Sequence, residues 1–173
     1  MITKTITKDA QPLANTCFML LAAGFIGICS QIAIPIGPVP ITGQTFAIML
    51  IGALLGPKSG ALAVVIYLLE GAAYLPVFPG TAAGAHLLLG PTGGYFLGFP
   101  CLAASIGYIT KTDWSHELKI AAYTASAWLI LAIGTLWLAQ FTSKAISLGF
   151  TPFLGIEFAK ALVVYWIYTR THK

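Results

Sequence analysis

Charge is what this chain has least of: nine lysines and arginines and five aspartates and glutamates are spread over 173 residues, 8% of the total. A soluble globular domain carries about 25% charged residues, so this chain could not cover its surface in water, and lipid is the solvent that suits it. The net charge of +4 is scattered rather than clustered, which argues against a nucleic-acid surface. Histidine and cysteine are as sparse. His86, His116 and His172 fall on different segments, and Cys17, Cys29 and Cys101 sit singly in apolar runs with no CxxC pair. Clustered acids, bases or metal ligands are therefore missing, and no catalytic residue, metal or cofactor is expected. A phosphate loop is missing too. GALLGPKSG comes nearest, but Pro57 stands where the Walker spacing needs its last glycine before Lys58.

Apolar runs fill the space. Leu13 to Ile34 carries no charge and can cross ~30 Å of hydrocarbon. Lys4 and Lys8 precede it as in a signal peptide, but the run is longer than a signal core and others follow. It ends at IPIGPVPITG, where Pro35, Pro38 and Pro40 forbid a helix. Further runs cover Ile41 to Leu55, stopping at Gly56-Pro57, and Ser59 to Leu75, stopping at Pro76. After the glycine-rich loop PVFPGTAAGAHLLLG come Gly93 to Ile109, Leu118 to Phe141 and Thr151 to Tyr168. The expectation is an all-α polytopic membrane protein of one domain with six transmembrane helices. Residues 1–12 form a cytoplasmic segment, 13–169 the bundle and 170–173 a cytoplasmic tail. With the N-terminus inside, Lys4, Lys8, Lys58, Lys111, Lys119, Arg170 and Lys173 fall inside and Lys144 outside. That bias satisfies the positive-inside rule and gives an N-in/C-in topology.

A charge at the centre of a span costs about 2.5–3.5 kcal/mol on insertion scales. Glu70, Glu157 and Lys160 are the intramembrane charges, Lys119 lying at the cytoplasmic edge of its run. At 1.5 Å per residue they lie about 7, 9 and 14 Å below the outer ends of their helices. Gln31, Gln44, His86 and Tyr95 are on the outer side as well. Polarity therefore converges on a cavity open to the outside. Glu157 and Lys160, three apart, share a helix face. They read either as a structural ion pair or as the polar floor of a solute site. Glu70, one turn from the interface, could simply reach water.

The stretches VPITGQT, LLGPKSG, LPVF and GPTGGY, in that order, followed by GIEFAK on the last run, closely resemble the BioY family. Its members are the biotin-specific substrate-binding (S) components of energy-coupling-factor (ECF) transporters. The resemblance covers roughly residues 30 to 170. It implies the ECF S-component fold in a bacterial cytoplasmic membrane, capturing biotin from outside. Its partners would be a transmembrane scaffold subunit and an ATPase pair, or it would act alone or as a homo-oligomer. Carried over by position, the site candidates are Lys160, Glu157, Gln44, Tyr95 and Phe78, with Thr81, His86 and Glu70 behind them. The resemblance also implies scaffold docking through small residues of the first helix, here Ala23 and Gly27. Two departures stand out. Glu157 occupies a position where aspartate is usual, and GTAAGAH lacks the arginine that some relatives place near the biotin carboxylate. Lys160 is then expected to meet that carboxylate, unless protonated His86 contributes. The alternatives are an S component for another vitamin and a structural membrane protein without transport.

Overall fold

A computed structural model describes the backbone of residues 2–171 and the side chains of residues 16–171. The side chains of Lys4, Lys8, His172 and Lys173 lie outside the described residues. Helix α1 spans Ile2–Ser30, so the helix already includes most of the expected N-terminal segment. Pro35 biases Ile34 towards an extended backbone, and Ala33–Ile34 (β1) pairs antiparallel with Ile41–Thr42 (β2) in the register Ala33↔Thr42, Ile34↔Ile41. This two-stranded ribbon shortens both neighbouring runs. The first helix stops at Ser30 rather than Ile34, and the second starts at Gln44 rather than Ile41.

Helix α2 covers Gln44–Ala72 but is broken at Gly56, whose φ of 80° and ψ of 179° suit glycine and no helix. Pro57 follows in the first turn of the second arm, where its missing N–H is harmless. The arms, 44–55 and 57–72, fold back on one another. Gln44 Nε2 donates to Tyr67 Oη at 2.6 Å, although these residues would be about 35 Å apart on a straight helix.

Helices α3 (Gly93–Thr110) and α4 (His116–Leu138) follow. Ser115 Oγ caps α4 by accepting from Leu118 N at 3.3 Å. A short α5 (Ala145–Gly149), absent from the sequence reading, and a 3-10 turn at Thr151–Phe153 lead into α6 (Leu154–Thr171). Helix α2 packs on α1, α3 and α6, and α4 packs on α3 and α6. Backbones approach closely where Gly52 faces Ala103 and Gly107 faces Gly56 and Pro57, contacts that a side chain would block. Ile48, Met49, Tyr67, Leu102 and Ile106 fill the centre. Outward, Leu21, Leu97, Leu136 and Trp166 are exposed. The stretches Gln44–Ala72, His116–Leu138 and Ala145–Thr171 are long and apolar enough to cross a membrane.

The bundle has two unlike ends. At one, the ribbon, the 73–92 loop and the 139–153 segment meet. Gln31 Nε2 donates to Phe78 O at 3.1 Å, Gln31 Oε1 accepts from Thr81 N at 2.9 Å, and Tyr95 Oη donates to Gly149 O at 2.9 Å. At the other end lie the Gly56 corner, the α3–α4 turn and the end of α6. There Lys119 Nζ donates to Thr110 O at 3.2 Å and the His116 ring hydrogen-bonds Tyr165 Oη. Lys58, Lys111, Lys119 and Arg170 belong to this second end, and Lys144 to the first.

Candidate substrate site

Beneath the ribbon end lies a cavity of about 160 Å³. Phe78, Tyr95, Phe96, Phe99 and Phe153 supply aromatic walls, and Val39, Pro40, Leu87 and Leu131 aliphatic ones. Much of one wall is a single helical face. Thr92, Tyr95, Phe96 and Phe99 follow the spacing i, i+3, i+4, i+7 at the start of α3, and Phe153, Glu157 and Lys160 follow i, i+4, i+7 into α6. Phe78 is fully buried, packs edge-on to Tyr67 with centroids 5.6 Å apart, and lies against Phe96 at 4.8 Å.

Thr42, Gln44, Thr45, Glu157 and Lys160 form the polar floor. Lys160 Nζ donates to Glu157 Oε1 at 2.6 Å, to Thr42 O at 2.8 Å and to Thr45 Oγ1 at 2.8 Å. An ammonium has three hydrogens, and these three acceptors match them. Thr45 Oγ1 in turn donates to Glu157 Oε1 at 2.8 Å. Glu157 is 2% exposed, and its second oxygen, Oε2, is buried without a hydrogen-bond partner. A buried carboxylate oxygen left unpaired costs several kcal/mol, so this atom marks where a donor from a solute would be most rewarded. Gln44 gives one amide hydrogen to Tyr67 Oη, and its Oε1 accepts from Thr42 Oγ1 at 3.0 Å. Tyr95 directs its hydroxyl away from the floor, to Gly149 O and to Thr135 Oγ1 at 3.2 Å. It offers the cavity a ring rather than a hydroxyl.

Lys160, Glu157, Gln44, Tyr95 and Phe78 therefore come together around one space. Thr81, His86 and Glu70 do not line it. Thr81 is exposed at a φ of 59° with its N–H on Gln31, His86 is exposed on the 3-10 turn Ala85–Leu88, and Glu70 is half-buried near the end of α2. Ala23 and Gly27 face inward: Ala23 is fully buried, and a Cβ on Gly27 would stand 3.3 Å from Val77 Cβ. At Gly27 the missing side chain admits Val77 of the chain's own loop. Lys160, expected to meet a ligand carboxylate, has its three donors directed to Thr42, Thr45 and Glu157. Thr45, Phe96, Phe99 and Phe153 were not anticipated. The i, i+3, i+4, i+7 spacing around Tyr95 carried the signal for the aromatic pair.

An apolar helical bundle that sinks a mostly apolar cavity, with a buried carboxylate–lysine pair among its lining residues, into one end is a membrane-embedded solute-binding protein. The chain belongs to the BioY family, whose sequence profile matches residues 3–173. It is 39% identical over 163 residues to the biotin transporter BioY2 of Lactococcus lactis subsp. cremoris, covering 88% of this chain and 86% of that one. To the biotin transporter BioY of Thermotoga maritima it is 41% identical over 151 residues, with 86% and 89% covered. The crystal structure of the S-component for biotin from an ECF-type ABC transporter superposes with a TM-score of 0.82 at 29% identity, covering 94% of this chain and 93% of that one. With its long apolar helices, the chain is a multi-pass membrane protein.

Proposed function

We propose that this chain is the biotin-binding S component of an ECF-type transporter, a transport protein and not an enzyme. The observation that carries the reading is the buried, unpaired Oε2 of Glu157 in an aromatic cavity. Biotin's ureido ring presents N–H donors to such an acceptor, and its thiophane ring suits aromatic walls. The relatives' names and the superposed S component support the same ligand.

In this reading Lys160 holds Glu157 in place, and the valerate tail runs towards the 78–87 loop at the mouth. The six apolar runs are six crossings with both termini in the cytoplasm, in a bacterial cytoplasmic membrane. Lysines and arginine gathered at the Gly56 end support that orientation. A scaffold subunit and an ATPase pair supply the energy. Binding of labelled biotin to the purified chain, with thermal unfolding against a panel of vitamins, tests the ligand. Biotin alone should protect at submicromolar concentration, whereas protection by another vitamin and not by biotin overturns the assignment.

A further inference from the structure

We propose that Thr45 is a positioning residue that fixes which oxygen of Glu157 is offered to the ligand; this rests on the biotin reading above. A carboxylate held by one i, i+3 lysine retains freedom about its last torsion, which is broad and two-fold, so either oxygen could face the cavity. Thr45 removes that freedom from a second helix. Its Oγ1 lies 2.8 Å from Lys160 Nζ and 2.8 Å from Glu157 Oε1. An ammonium can only donate, so Thr45 must accept from Lys160 and turn its single hydrogen to Glu157. A helical threonine commonly bonds back to the carbonyl three or four residues earlier. Here Thr42 O, three residues earlier, instead accepts from Lys160 at 2.8 Å, and the Thr45 hydroxyl points across to α6. Oε1 thereby receives two donors, and Oε2 is left as the ligand's acceptor. The neighbour Gln44 cannot substitute, since its amide is directed to Tyr67 and Thr42.

The test is calorimetric titration of the purified full chain with biotin. Thr45→Val, close in shape but without the hydroxyl, should bind about ten- to a hundred-fold more weakly, the range for one hydrogen bond to a charged group. Thr45→Ser should restore affinity to within a few-fold. If Thr45 acts through Glu157, combining Thr45→Val with Glu157→Gln should weaken binding no further than Glu157→Gln alone. Additive losses, an undiminished Thr45→Val, or a failed rescue by Thr45→Ser would each overturn the proposal while leaving biotin binding intact. A wild-type chain that binds no biotin overturns the functional reading and this inference with it.

Discussion

Lys160 directs its three hydrogens to Thr42, Thr45 and Glu157, which changes what its removal should do. Lys160→Met keeps the stem and deletes the charge. Glu157 loses one of two donors to Oε1, and truncating one partner of a buried pair costs about 2–5 kcal/mol of affinity. On the proposed reading, in which the lysine acts on the ureido side, biotin and a neutral biotin amide should weaken equally. A loss confined to the free acid, measured by calorimetry on both ligands and both proteins, would put Lys160 at the carboxylate instead. The Glu157–Lys160 pair itself was legible, since residues three apart on a helix share a face. Its third member was not. Thr45 reaches Glu157 from 112 residues away, through a fold-back that no local pattern records. Ala23 and Gly27 are a related case: small residues at helical spacing announce a close approach without saying to what, and both are buried within this chain.

Among the helices and turns, punctuation carried the most. Gly56-Pro57 stops one apolar run before the next, and one residue at a φ of 80° makes the corner between them. Gly56→Ala should therefore lower stability by about 1–3 kcal/mol, the usual cost of forcing a side chain into such a conformation. Gly24→Ala, at a glycine with open space around it, should be neutral or mildly stabilising, since alanine is the better helix former. Thermal unfolding of both variants in detergent checks the contrast; equal losses would mean that the corner tolerates a Cβ. The ribbon at Ala33–Ile34 and Ile41–Thr42 escaped notice because two paired residues leave no alternating pattern. Helix α5 escaped because five residues are too few for a helical period. Hydrophobicity alone drew the runs too long at these edges, where apolar side chains continue past the last helical hydrogen bond.

At the scale of the whole molecule, the unlike ends predict an orientation. In a background with Cys17, Cys29 and Cys101 replaced by alanine, Thr81→Cys should react with an impermeant thiol reagent on intact cells. Lys58→Cys, exposed at the Gly56 end, should react after permeabilisation. The reverse pattern would invert the cavity's assignment to the outside. The charge bias made this end-to-end difference readable without any structure, because it is a property of composition by segment rather than of packing.

The floor of the cavity cancels its own charge, one lysine against one glutamate. Any anion it takes up finds no countercharge left over on that floor. Each biotin delivered inward therefore moves one negative charge against an inside-negative voltage, electrical work of about 2.3 kcal/mol per 100 mV for a full crossing. In proteoliposomes bearing the complete transporter at fixed ATP, imposing such a voltage should slow uptake of biotin and leave that of its neutral amide unchanged. Equal slowing of both would mean that the carrier's own charges, not its cargo's, cross the field.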